Sequence, residues 1–281
     1  MKKEEIAELV SGGIADLNDA LKSGRSDHLK NLLDVMSQFS HYSFNNCLLI
    51  AQQCPTATYV QGFHGWRKLG RTVRKGEKGI GIAAPMTYRK KEEAGEEISD
   101  RGFRVVHVFD ISQTDGDELP KFAEPQGDCD EWIKRAEQLI RDKSIDLQYK
   151  TLRSGLDGFS TMGKIVIDAG LEAPKRLATL VHELAHELLH PDIESRKENS
   201  QVVKETEAEG VAYIVCQSLG LEMLSSATDY IHLHDGDCDV FARSMRRIQG
   251  CASAILSDLV DSNSGDLVKN RRKMEPTETP V

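Results

Sequence analysis

The chain has 281 residues, of which 39% are hydrophobic and 29% are charged. This composition excludes a chain that is disordered or fibrous throughout, and the length allows two domains. The formal net charge of −9, from 36 Lys and Arg against 45 Asp and Glu, argues on average against a nucleic-acid partner, because proteins that bind phosphates usually carry a basic excess.

The six cysteines form no Cys-x-x-Cys pair, so the sequence predicts neither a thiolate zinc site nor a disulfide framework. No stretch approaches the roughly 20 apolar residues that span a bilayer, and the N-terminus does not resemble a signal peptide. We therefore expect a cytoplasmic protein with reduced cysteines and no membrane partner.

The fold class expected is α+β, with a small N-terminal domain of helices and β-sheet followed by a second domain of helices and strands. In the first part, apolar spacing predicts helices at 6–21, 29–39 and 44–53, and β-branched runs predict strands at 79–84 and 104–109. A loop or hairpin tip is expected at 92–97, and a linker rich in acids, prolines and glycines at 114–127.

The domain boundary is placed near residue 125, which gives domains at 1–125 and 126–261. The second domain is expected to contain a helix around Trp132, strands at 147–152 and 164–168, and helices at 175–190, 202–219 and 240–260. Few apolar residues follow Asp261, so 262–281 is predicted to be a disordered tail.

The strongest chemical signal is the His-Glu-x-x-His motif of His182, Glu183 and His186, within a stretch that is helical on its apolar spacing. Residues four apart lie on one face of a helix, so the two imidazoles can converge on one metal ion. Glu183 is rotated by one residue and is expected beside the open coordination position, as the general base for a bound water. The motif therefore predicts a catalytic Zn²⁺ site.

A third ligand is expected from the helix at 202–219. Glu205 and Glu209 are four residues apart and share a face, so we assign Glu205 to the metal and Glu209 to a hydrogen bond with a ligand imidazole. The reverse assignment stays open, and His190 is a weaker alternative that fits better at a helix C-terminus. Glu207 is expected on a solvated face.

Two further features would complete a peptidase site. The strand at 164–168 is expected to edge the cleft and to offer a free edge to an extended peptide. Tyr230 is a catalytic candidate that would steady an oxyanion, whereas His232 and His234 are expected at the surface.

The average charge hides a basic stretch. Residues 61–91 carry nine basic side chains and one acid, a net charge of +8 that leaves −17 for the remainder. Phe63 and Trp66 lie within this stretch, and Tyr42 and Asn46 precede it. Cations, aromatic rings and amides together are typical of single-stranded nucleic-acid binding. The alternative is a hydrophobic core surrounded by solvated charges.

The N-terminal motifs at 42–50, 62–70 and 73–80 resemble the single-stranded-DNA-binding domain of the antirestriction ArdC family. In that family the domain precedes a zincin-like metallopeptidase domain, matched here by the His182–His186 motif and by Glu205–Glu209. The resemblance therefore implies an α+β fold in which a small helical and β-sheet DNA-binding domain is followed by a zincin-like (gluzincin) metallopeptidase domain. The C-terminal half also resembles the ImmA/IrrE peptidases. The residues expected to bind DNA are Tyr42, Asn46, Phe63, Trp66, Lys68, Arg71, Arg74, Lys75 and Lys78.

The resemblance implies a protein that protects incoming plasmid DNA, with single-stranded DNA and an unknown protein or peptide substrate as partners. Two alternatives remain open. One is an ImmA/IrrE-like metallopeptidase that cleaves a regulator protein, and the other is a DNA-binding module with a non-catalytic metal site.

Overall fold

The computed structural model describes residues 3–23, 27–91, 97–117, 129–192, 194, 200–221 and 238–261. The helices in these ranges are α1 (Lys3–Lys22), α2 (Asp27–Gln38), α3 (Phe44–Gln53), α4 (Phe63–Lys68), α5 (Cys129–Asp142), α6 (Ala173–Leu189), α7 (Gln201–Ser218) and α8 (Cys238–Asp261). The strands are β1 (Val60–Gly62), β2 (Arg71–Val73), β3 (Ile80–Lys91), β4 (Glu97–Asp110), β5 (Thr114–Gly116), β6 (Asp146–Lys150), β7 (Gly158–Ser160) and β8 (Lys164–Asp168). The predicted α+β class is confirmed.

The chain forms two compact units. Of the described residues, the first unit contains those up to 13 and those from 45 to 117, and the second contains those from 14 to 44 and from 129 to 261. Residues 14–44 therefore group with the second unit and not with the N-terminal domain expected for them. The expected boundary near residue 125 and the tail at 262–281 lie outside the described residues.

The first unit is built on an antiparallel sheet in the order β1-β4-β3. Ile80, Ile82 and Val108 are buried on one face of this sheet. A second ladder pairs β2 with β5, which spans Thr114–Gly116. The prediction of a linker beginning at residue 114 is thus wrong at its start, because a strand pairing across some 40 residues leaves no local sequence signal.

Two amide side chains close the outer edge of β3. Asn46 exchanges two hydrogen bonds with the backbone of Ala83, at 2.9 and 3.0 Å. Gln53 exchanges two with the backbone of Gly81, both at 2.9 Å. Because an unpaired strand edge leaves peptide groups without partners, these amides take the place of a further strand. They fix α3 along the sheet.

The second unit includes α2 because polar contacts join it to the C-terminal helices. The Tyr213 hydroxyl lies 2.5 Å from a carboxylate oxygen of Asp34, and the Ser218 hydroxyl donates to the carbonyl of Ser37 at 2.7 Å. The buried amide of Gln249 donates to the carbonyl of Tyr42 at 3.0 Å. These contacts explain why residues 14–44 group with residues far along the chain.

The sheet of the second unit has the order β6-β8-β7, with β6 parallel and β7 antiparallel to β8. The predicted strand at 164–168 is β8, but its predicted free edge is wrong, because β8 is paired on both sides. Among these three strands, the outer strands β6 and β7 each have one unpaired edge, and β7 packs against α6. Helix α6 packs against this sheet and against α7, which places the motif helix between the sheet and the carboxylates of α7.

Within the described ranges, no helix combines the length and the apolar character needed to cross a bilayer.

Candidate metal centre and basic surface

Helix α6 presents the motif from a rigid position. Its first turn contains Pro174, whose fixed φ suits a helix start, and its apolar side is fully buried at Leu177, Leu180 and Val181. The helix ends at His190, whose backbone N–H donates to the carbonyl of His186 at 3.0 Å. Because burial holds α6 in place, its polar residues have little freedom to move.

The structure brings together three of the predicted metal-site residues. The Nε2 atoms of His182 and His186 lie 3.1 Å apart, and the two rings are nearly perpendicular, at 79°. One carboxylate oxygen of Glu205, on α7, lies 3.4 Å from Nε2 of His182 and 3.5 Å from Nε2 of His186. Two nitrogens and one oxygen therefore converge on one point, as a metal-binding triad does.

Glu209 contacts the other side of the first imidazole. Its carboxylate lies 3.5 Å from Nδ1 of His182, so the two nitrogens of that ring meet two carboxylates one helical turn apart. Glu205 is itself held by an amide donor, because the side chain of Gln201 donates to its second oxygen. The four-residue spacing of Glu205 and Glu209 produces this arrangement on one face of α7.

The electrostatics of the cluster follow from these contacts. Burial opposes the charging of His182, but hydrogen bonds to Glu205 and Glu209 outweigh it and raise the pKa of His182 to about 9. The same contacts with His182 and His186 hold the pKa of the Glu205 carboxyl far below its usual range. A carboxylate that remains charged between two imidazoles suits a cation.

Glu183 lies beside the triad and lines the same cavity as His182, His186 and Glu205. It is 6% exposed, and burial is the main cause that raises its pKa above the usual range for a carboxyl. The hydroxyl of Ser160, at the end of β7, hydrogen-bonds to it. A cavity of about 590 Å³ opens over His182, Glu183 and β7. Sequence reasoning did not identify Ser160, because no motif marks it.

A second polar cluster lies at the end of α6. His190 and Glu207 are both about 1% exposed, and Nε2 of His190 lies 3.3 Å from the Glu207 carboxylate. Arg247, on α8, lies 3.3 Å from the same carboxylate and donates to the carbonyl of Leu189 at 2.7 Å. The expectation that Glu207 is solvated is wrong. The continuous apolar run at 211–216 signals that α7 is buried on all sides and has no solvated face there.

Two residues expected to contact DNA are instead structural. Trp66 is completely buried, and its indole N–H donates to the carbonyl of Phe109 at 2.9 Å, so its ring cannot stack on a base. Asn46 is 8% exposed and binds the backbone of Ala83. The predictions of DNA contacts by Trp66 and Asn46 are corrected for one reason. Aromatic and amide side chains can bind bases, but they also build the core.

The basic residues fall into two groups. The guanidinium of Arg71 binds Thr114 and so joins β2 to β5, and Arg74 pairs with Glu77 at 2.8 Å. Among the residues predicted to bind DNA, Phe63, Lys68, Lys75 and Lys78 are exposed. Arg74 is also exposed, at 42%, despite its ion pair. Tyr42 belongs to the second unit. Tyr230, His232 and His234 lie outside the described residues.

Comparison with known proteins assigns both parts of the chain. Residues 4–111 match the family model described as the N-terminal domain of anti-restriction factor ArdC. Residues 136–217, which include the metal-site helices, match the model described as the IrrE N-terminal-like domain.

Two solved structures share the fold. The metal-free crystal structure of antirestriction protein ArdC from plasmid R388 matches with a TM-score of 0.52 and 21% identity, over 78% of this chain and 86% of that one. The Mn(II)-bound crystal structure of ArdC from the same plasmid matches with a TM-score of 0.50 and 18% identity, over 83% and 98%. An uncharacterised protein of Bacillus anthracis is 26% identical over 96% of this chain, which spans 54% of that protein's length.

The fold and the two matched models define a protein that combines an ArdC-type N-terminal domain with an IrrE-like, metallopeptidase-like domain. The N-terminal part of the chain therefore resembles the ArdC family, and the fold resembles that of ArdC from plasmid R388.

Proposed function

We propose that the chain is an antirestriction protein of the ArdC type, with a zinc-dependent peptidase site in its second unit and a surface for single-stranded DNA in its first. The observation that carries the peptidase site is the convergence of His182, His186 and Glu205 on one point. The Mn(II) in the related R388 structure supports a divalent metal in this family.

The donor atoms fit a tetrahedral ion. Ligands about 2.0–2.2 Å from zinc in a tetrahedron lie roughly 3.3–3.6 Å from one another. The separations among the three donor atoms are 3.1, 3.4 and 3.5 Å. Two imidazoles and one carboxylate also form a donor set that zinc commonly takes in hydrolases. His182, His186 and Glu205 would thus hold the ion, and Glu209 would orient His182 through Nδ1.

Glu183 supplies the proton transfer in this proposal. A bound zinc ion lowers the pKa of a neighbouring water and polarises a carbonyl. The carboxylate of Glu183 takes the proton of the attacking water and returns it to the leaving amine. Burial raises the pKa of Glu183, which makes it a better base near neutral pH, and the Ser160 hydroxyl orients it.

An extended peptide fits the unpaired edge of β7, which lines the cavity beside Glu183. Backbone hydrogen bonds to a strand edge bind many sequences, and pockets for alternate side chains give selectivity. Phe159, at the centre of β7, is 38% exposed and offers an apolar contact. The proposed substrate is therefore an unfolded or loop segment of a protein.

The test compares wild type with Glu183→Gln in plasmid transfer into a restricting host, together with zinc content. We expect the variant to retain zinc and to lose protection, whereas Glu131→Gln, an exposed control on α5, behaves as wild type. Equal protection by Glu183→Gln and wild type would contradict the catalytic role and favour a DNA-binding module with a non-catalytic metal site. If Glu183→Gln loses protection with intact zinc, and wild type binds no single-stranded DNA, the result would favour cleavage of a regulator protein.

A further inference from the structure

An exposed row of aromatic side chains lies on the sheet of the first unit. Successive residues of a strand point to opposite faces. In β4, Val108 is buried on one face, so Phe103, His107 and Phe109 belong to the other. Phe103 is 64% exposed and His107 is also exposed, whereas Phe109 is half-buried.

The neighbouring strand leaves these rings uncovered. The direct cross-strand partner of His107 is Gly81, and the partner of Phe103 is Pro85. Just before β3, a side chain at Gly79 would place its Cβ 3.0 Å from Cβ of His107 and 3.1 Å from the ring of Phe109. Because Gly79 and Gly81 have no side chains, neither residue covers the rings of His107 and Phe109.

Phe63 extends the row at the start of α4. Its ring lies 6.5 Å from that of Phe109 in an edge-to-face arrangement, and the side chain is 42% exposed. The guanidinium of Arg67 lies 5.5 Å from the centre of the Phe63 ring. An aromatic ring and a cation are thus presented together. Lys78, directly before Gly79, is exposed.

Charge identifies the class of partner. An apolar patch of this kind would suit many ligands, but the surrounding segment at 61–91 carries +8 in a chain of −9. A polyanion that carries exposed flat rings fits both the aromatic row and the positive charge. In a nucleic acid, only unpaired bases are open to stacking. Phe103 and His107 are four residues apart on β4, a distance of about 13.6 Å, which suits bases two positions apart in an extended single strand.

We propose that Phe63, Phe103 and His107 form a platform on which unpaired bases of single-stranded DNA stack, with Arg67 and Lys78 contacting phosphates. This rests on the proposed DNA-binding function and names residues for it: Phe103 and His107 lie outside the basic segment and take the role expected of the buried Trp66. Stacking on rings tolerates any base, so binding has little sequence preference.

The experiment measures fluorescence anisotropy of a labelled 20-nucleotide dT strand with the full chain, over a salt series. Phe103→Ala, His107→Ala and Phe63→Ala are each expected to weaken binding by roughly 5- to 150-fold, with an unchanged salt slope. Lys78→Ala should instead lower the slope by roughly 0.7. Tyr149→Ala, an exposed aromatic of the other unit, is the matched control. Circular dichroism and thermal melting verify that each variant is folded.

A second arm reports stacking directly. Trp66 and Trp132 are both buried, so Phe103→Trp adds an exposed indole whose emission should be quenched by the dT strand while affinity is kept. Wild type that binds no strand contradicts the DNA function itself. If wild type binds the strand and the affinities of Phe103→Ala and His107→Ala stay within twofold of wild type, the platform is overturned but the DNA function is not. Equal binding of a 20-base-pair duplex also overturns the platform, because paired bases are not open to stacking.

Discussion

The carboxylate of Glu207 lies 3.3 Å from Nε2 of His190, and both side chains are about 1% exposed. The pair joins α7 to the C-terminal end of α6, directly after the metal-site motif. Arg247 adds a cation to the same carboxylate and a hydrogen bond to the carbonyl of Leu189. The end of the metal-site helix is thereby held by a buried charge cluster.

Removing Glu207 should destabilise the fold. Glu207→Ala leaves the buried His190 and the partly exposed Arg247 without their shared carboxylate, so we expect the free energy of unfolding to fall by about 1–3 kcal/mol. Urea denaturation followed by circular dichroism measures this change. The exposed Glu131→Ala, which breaks only a surface pair with Arg135, should cost less than about 1 kcal/mol. Equal unfolding midpoints for the two variants would contradict the role of the cluster.

Glu205 and Glu209 should differ in their effect on metal binding. Glu209→Gln removes a partner of a ligand ring and is expected to weaken zinc affinity about 10- to 100-fold. Glu205→Gln removes a ligand itself and should weaken it further. Competition with a chromophoric chelator measures both constants. The opposite order would mean that Glu209 is the ligand, the assignment that spacing alone leaves open.

The convergence of His182, His186 and Glu205 could be predicted from the sequence because their placement is local. His182 and His186 meet through helical spacing alone, and Glu205 and Glu209 share a face for the same reason. Glu207 was missed, because its burial depends on how α7 packs against α6 and α8. A single-face argument fails where a helix is buried on most sides, as α7 is from residue 206 onward.

The basic surface shows the limit of reasoning from composition. The segment at 61–91 attracts attention through its charge, but the direction of each ring depends on contacts far along the chain. Trp66 is buried, and its indole N–H donates to the carbonyl of Phe109, which lies 43 residues later in the chain. Phe103 and His107 lie outside the segment and become visible only when strand pairing places β4 beside β3. The pairing of β2 with β5 was missed for the same reason.

Asn46 should matter for stability and not for DNA affinity. Its amide both donates to and accepts from Ala83, so Asn46→Ala leaves a strand edge unsatisfied and should cost about 1–3 kcal/mol of unfolding free energy. The affinity for a dT strand, measured where the variant is fully folded, should stay within twofold of wild type. A large loss of affinity at unchanged stability would instead restore Asn46 to the DNA contacts.

Asp110 gives a pH dependence that is independent of any metal. Its buried carboxylate accepts hydrogen bonds from the backbone N–H groups of Thr58, Tyr59 and Ser112. Burial opposes the charged form, but these hydrogen bonds prevail and lower the pKa of Asp110. A carboxyl with a lowered folded-state pKa contributes stability that is complete above its unfolded pKa of about 3.9 and is lost as the pH falls through the folded value.

We therefore expect Asp110→Asn to unfold with about 1–2 kcal/mol less free energy than wild type at pH 7, and this difference should shrink as the pH falls below about 4. Using the difference between the two proteins cancels the carboxyls that they share. Asp115→Asn, whose side chain is 75% exposed, should stay within about 1 kcal/mol of wild type throughout. A difference for Asp110→Asn that stays constant from pH 7 to pH 2 would contradict the lowered pKa, because protonation of Asp110 must remove whatever its charge contributes.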